Sequence, residues 1–109
     1  MSNAGSAEIP EVDVAEAARR QGAGSAIIDV READEWAKIH ARDAMLFPLS
    51  ELQNHVADLP RGELLMLCRS GGRSMKAAEL LASQGFSCAN IAGGTMAWVE
   101  AGLPTESGS

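Results

Sequence analysis

Leu64-Leu65-Met66-Leu67-Cys68-Arg69-Ser70-Gly71-Gly72-Arg73-Ser74 joins an apolar run to a cysteine, a glycine pair and the start of a second apolar pattern. Four consecutive apolar residues between Glu63 and Cys68 suit a strand buried on both faces, as in a parallel sheet. Gly71-Gly72 permits the positive φ values that a tight, cup-shaped loop needs. From Ser74 the period changes. Ala77, Leu80, Leu81 and Gln84 share one helical face and Lys76, Glu79 and Ser83 lie elsewhere, so an amphipathic helix is predicted from Ser74 to about Gln84, stopped by Gly85.

A strand that ends in cysteine, a glycine loop and a helix N-terminus together make an anion site. Successive loop N–H groups converge, and the helix adds its unpaired N–H groups and positive dipole end. Arg69, Arg73 and Lys76 follow Cys68, and no acidic residue lies between Glu63 and Glu79, although the chain carries a net charge of −6. A thiol placed there is expected to fall from roughly 8.5 toward the 3.5–7.5 range of thiols beside cations and helix N-termini. The expectation is a thiolate at neutral pH.

Outward from this stretch, strand-like and helix-like segments alternate. Ile9-Pro10 opens a short edge strand, and Asp13 with Glu16 has the form of a helix N-cap before Val14, Ala17 and Ala18. Ala26-Ile27-Ile28-Asp29-Val30 reads as a central parallel strand. Met45-Leu46-Phe47 is a short strand ended by Pro48, and Ser50 is predicted to cap a helix over Glu51 to Asp58 with Leu52, Val56 and Leu59 inward. Ser87 to Ile91 is predicted as the last parallel strand, followed by Gly93-Gly94 and a short helix through Trp98 to Glu100. Residues 1–7 and 105–109 are polar and aperiodic and are expected to be disordered tails, with Met1-Ser2-Asn3-Ala4 resembling an expression-vector remnant, around one domain over 8–104. The fold class predicted is α/β, a small parallel sheet flanked by helices on both faces, with the site outside the strand C-termini near Val30, Cys68 and Gly93-Gly94.

Cys68-Arg69-Ser70-Gly71-Gly72-Arg73-Ser74 resembles the active-site loop of single-domain rhodaneses, sulfurtransferases that carry a persulfide on one cysteine. Ile28-Asp29-Val30-Arg31 with Glu35-Trp36, then His40, Ala44 and Pro48, then Asn90-Ile91-Ala92-Gly93-Gly94-Thr95-Met96-Ala97-Trp98 and Gly102-Leu103-Pro104 are similar to that family's pattern in order and spacing. Ile39 and Asp43 stand where the family has glycines, which points to a different backbone path there.

The resemblance implies that Cys68 attacks the sulfane sulfur of a small anionic donor such as thiosulfate, and that a thiol or cyanide acceptor, or a sulfur-relay protein, takes it on. It also implies that Arg69 and Arg73 bind the donor, that Ser70, Gly71 and Gly72 line the cup with backbone N–H groups, and that Asp29 and Arg31 border it. Read from the residues alone, Asp29, Arg31 and Glu35 form an ion pair fixing the strand-to-helix turn, Ser74 caps its helix or bonds the sulfur, and His40 is a solvated loop residue. Cys88, without cationic neighbours, reads as an inert core thiol, and Met66, Met75 and Met96 as packing residues.

Two other functions compete. Tyrosine phosphatases and arsenate reductases also use a cysteine loop with an arginine, but only four residues separate Cys68 from Arg73, one fewer than in the phosphatase loop, and no general-acid aspartate is identifiable. A partner-fed sulfur-carrier or binding module would have the same loop.

Composition bounds the rest. The 109 residues, 46% hydrophobic and 22% charged, fit one globular domain. The acidic balance argues against nucleic acid, and no apolar run approaches the roughly 18 residues that span a bilayer. The two histidines have no ligand spacing to the cysteines and Gly93-Gly94 lacks a nucleotide-loop pattern, so neither metal nor cofactor is expected. Two cysteines read as free thiols fit a cytoplasmic setting.

Overall fold

The computed structural model describes residues 8–108. The expectation for residues 1–7 lies outside the described residues. The elements run β1 (Glu11–Val12), α1 (Val14–Gly22), β2 (Ala26–Asp29), α2 (Ala33–Lys38), β3 (His40–Ala41), β4 (Met45–Leu46), a 3-10 helix (Leu49–Asp58), β5 (Leu64–Leu67), α3 (Gly72–Ser83), β6 (Cys88–Ile91), α4 (Gly94–Glu100) and β7 (Thr105–Glu106). The main sheet has the order β1-β6-β5-β2-β4 with every pairing parallel. No helix among the described residues is long and apolar enough to cross a membrane.

β5 is the middle strand, and its side chains alternate between two cores. Leu65 and Leu67 pack with Ala17 of α1 and Trp98 of α4, whereas Leu64 and Met66 pack with Leu52 of the 3-10 helix and Ala77, Ala78 and Leu81 of α3. All four β5 residues are fully buried, each worth about 1.5–3 kcal/mol of apolar transfer. This explains why a continuous apolar run, rather than an alternating one, was needed. The same parity puts Cys68 in the core cluster on the α3 side.

Several local expectations hold. The Asp13 side chain accepts the Glu16 N–H at 2.8 Å and caps α1. Gly71 has φ 120° and precedes α3. Only this glycine of the pair uses the left-handed region; Gly72 is the first residue of the helix.

Other expectations are corrected. Leu49–Asp58 is a 3-10 helix with a kink at His55, not an α-helix capped by Ser50; its N-cap is Pro48, and the Ser50 hydroxyl donates to the Glu32 carboxylate instead. On α3, Ala78 takes the buried place expected for Leu80, which is 38% exposed.

Residues 105–108 are not a free tail, and residue 109 lies outside the described residues. Thr105–Glu106 pairs antiparallel with His40–Ala41, and the Trp98 indole N–H donates to the Pro104 carbonyl at 2.8 Å, which directs the chain there. His40 is correspondingly buried, not solvated. Its ring stacks on Trp36 with centroids 3.6 Å apart, and its Nδ1 lies 2.8 Å from the Trp36 carbonyl. Of the two positions that lack a family glycine, Ile39 is simply extended and Asp43 adopts φ 64° itself, a conformation that Asp tolerates better than most residues.

Candidate active site

The loop from Cys68 to Gly71 lies at the C-terminal end of the middle strand and opens directly into α3. Two contacts fix its start. The Cys68 carbonyl accepts the Thr95 N–H at 2.8 Å and its hydroxyl at 3.1 Å, and the Arg69 carbonyl accepts the Met96 N–H at 3.1 Å. Gly94 is what allows α4 to come this close: a Cβ there would lie 2.5 Å from the Arg69 carbonyl oxygen and 2.6 Å from that of Cys68. The second glycine pair of the sequence therefore serves the first loop.

The Cys68 sulfur receives the Gly71 N–H at 3.1 Å and has the Ser74 hydroxyl at 3.2 Å. Burial pushes this thiol up, but hydrogen bonds from the Ser74 side chain and from the backbone N–H groups of Ser74, Gly71 and Ser70 outweigh it, so the thiol lies below its ordinary value. Ser74 is the third residue of α3, not its cap, and its hydroxyl turns inward to the sulfur and to Asn90. Cys88 is the contrast: burial alone pushes its thiol up to about 11.

The arginines divide. Arg69 is exposed and, among the described residues, makes no ion pair. Arg73 is held in a fork by Glu35, with Nη1 and Nη2 each 2.8 Å from a carboxylate oxygen. Its side-chain hydrogen bonds draw the Glu35 carboxyl down from 4.5 to about 2. This corrects the expected trio, because Glu35 joins Arg73 of α3 while Asp29 and Arg31 pair with each other. That buried pair is made by Arg31 Nη2 and Nε at 2.8 and 3.0 Å from the Asp29 carboxylate, and Nη2 also donates to the Ile39 carbonyl. Lys76, expected beside the thiol, points outward as an exposed residue of α3.

An open groove of about 710 Å³ runs beside the loop, lined by Arg69, Met96 and Val99 together with Arg31, Lys38 and Ile39. Met96, read from sequence as packing, is 54% exposed on it. Sequence reasoning assigned no role to Asn90, which is fully buried beside Ser74 and the loop. A buried amide in an otherwise apolar strand, Cys88-Ala89-Asn90-Ile91, was the available signal.

Known proteins resemble this chain in sequence and fold. The model of the rhodanese-like domain matches residues 13–101. Thiosulfate sulfurtransferase 18 of Arabidopsis thaliana is 30% identical over 113 residues, covering 89% of this chain and 83% of that protein. An uncharacterized protein of Synechocystis is 38% identical over 90 residues, but the chain spans only 49% of its length. The crystal structure of a rhodanese-related protein from Thermoplasma volcanium superposes with a TM-score of 0.83 at 28% identity, covering 89% of this chain and 97% of that one. With the parallel sheet, the cysteine loop at its middle strand and a family match over most of its length, the chain belongs to the rhodanese-like domain family.

Proposed function

We propose that the protein is a sulfurtransferase that carries a sulfane sulfur on Cys68. The observation that carries the reading is the set of donors around one sulfur: the backbone N–H groups of Ser70, Gly71 and Ser74 favour a negative sulfur at the loop, and the Ser74 hydroxyl lies within reach of it. In the first step the Cys68 thiolate attacks the outer sulfur of thiosulfate. An S–S bond forms to Cys68, the sulfur–sulfur bond of thiosulfate breaks, and sulfite leaves with the electron pair. In the second step cyanide or a thiolate attacks the outer sulfur of the Cys68 persulfide and restores the thiolate. Arg69 at the loop mouth is the donor-binding cation; Arg73, engaged by Glu35, anchors α2 to the start of α3 and reaches a donor only by leaving that pair. Gly72 shapes the helix start, and Asp29 and Arg31 brace the wall of the groove. A persulfide from a sulfur-relay protein in the cytoplasm is an equivalent donor, and the name of the Arabidopsis relative favours thiosulfate.

The test is intact mass before and after thiosulfate, for the wild type and for Cys68→Ser. A gain of one sulfur atom, reversed by cyanide and absent from the variant, is expected. No gain from thiosulfate but a gain from a protein persulfide makes the chain a partner-fed carrier; no gain from either overturns the proposal.

A further inference from the structure

Ser74 has one hydroxyl proton and three acceptors within reach: Cys68 Sγ at 3.2 Å, the Gly71 carbonyl at 3.3 Å and Asn90 Oδ1 at 2.6 Å. The orientation of the Asn90 amide is not free. Its Nδ2 faces two groups that only accept, the Glu11 carboxylate at 3.0 Å and the Gly71 carbonyl at 3.1 Å, so a flipped amide would set oxygen against oxygen twice. Oδ1 therefore faces Ser74, and a contact of 2.6 Å between two oxygens is attractive only when the hydroxyl proton lies between them. With the proton there, Ser74 offers the sulfur a lone pair, which suits a neutral S–H donor. A thiolate needs the reverse: the hydroxyl must turn its proton to Sγ and leave the buried Asn90 oxygen unpaired.

We infer that Asn90 and the Cys68 sulfur compete for the single Ser74 proton, so that Asn90, held by Glu11 and the Gly71 carbonyl, is a positioning residue for the nucleophile. The backbone N–H groups favour the thiolate whichever way the hydroxyl points; Asn90 sets how much the hydroxyl adds. The edge strand β1 thereby acts on a sulfur two strands away through Glu11, Asn90 and Ser74. The other charged groups around the sulfur are already engaged with one another, Arg73 with Glu35 and Asp29 with Arg31, and Arg69 is exposed. The other thiol of the same apolar cluster is Cys88.

The inference rests on Cys68 as the reactive thiol, and its test reads the ionisation of that thiol without any sulfur transfer, so the two can fail separately. The rate of alkylation by iodoacetamide is measured against pH and read on the Cys68 peptide by mass, which excludes Cys88. Asn90→Ala is expected to move the midpoint down by about one pH unit, the size of one hydrogen bond to a charged sulfur freed from competition. In the Ser74→Ala background the same replacement is expected to do nothing. Glu11→Ala, at an exposed strand position, is expected to act in the same direction by less, and again only when Ser74 is present. It decides the question should Asn90→Ala fail to fold, since a through-space effect of the lost charge would persist without Ser74. A midpoint unchanged or moved up, or a shift that survives Ser74→Ala, overturns the inference.

Discussion

Replacing Glu35 by Gln isolates the ion pair that ties α2 to the start of α3. The Glu35 carboxyl is depressed from 4.5 to about 2, chiefly by the forked hydrogen bonds of Arg73. Unscreened, that gap corresponds to ~3.4 kcal/mol of stability at neutral pH. The side chains are 29% and 39% exposed, however, and solvent screening brings the expectation to about 1 kcal/mol. Because the folded state holds the group more acidic than the unfolded state, the stabilisation is complete above 4.5 and is lost as pH falls through about 2. At pH 3 less than half of it remains. Urea unfolding of wild type and Glu35→Gln at pH 7 and pH 3 measures this. The variant is expected to lose about 1 kcal/mol at pH 7 and less than half of that at pH 3. An equal loss at the two pH values would refute the electrostatic account, and no loss at pH 7 would show that the pair contributes nothing.

Gly94→Ala sets a Cβ against the Cys68 and Arg69 carbonyls at a residue with φ 59°, and is expected to cost about 3 kcal/mol, lowering Tm on the order of 15 °C. An unchanged Tm would mean that α4 does not fix the start of the loop. Cys88 is expected to resist alkylation near neutral pH, since burial raises its thiol to about 11, and Cys88→Ala is expected to leave sulfur loading of Cys68 intact. Loss of loading in that variant would give Cys88 a part in the chemistry.

Much of the site's framework was readable because it is local. An apolar run of four residues, a glycine that takes φ 120° and an amphipathic run after it specify strand, loop and helix by their own periods and backbone limits, and the sulfur's N–H donors follow from that geometry. The partners of the side chains were not readable, because each is chosen by closeness in space. Glu35 is a close sequence neighbour of Arg31, yet it meets Arg73 38 residues on, because β2 and β5 are neighbours and set α2 beside the start of α3. Asn90 reaches Ser74 16 residues back for the same kind of reason, since β6 lies against β5.

The small antiparallel pair and the 3-10 helix show the same division. Thr105–Glu106 has no strand pattern of its own and becomes a strand only because Trp98 holds Pro104 and brings the chain against His40–Ala41, which also buries His40. The 3-10 helix over Leu49–Asp58 has the apolar spacing of an α-helix, and that spacing marks neither the tighter turns nor the kink at His55. The alternation of strands and helices, the cysteine loop and the N–H groups it turns toward the sulfur follow from the sequence alone, since they depend on backbone preference and periodicity within a few residues. Which loop arginine stays exposed, which carboxylate restrains the other, and that the buried Asn90 amide bonds the sulfur's hydroxyl neighbour were settled by packing, because those pairings exist only once the strands lie side by side.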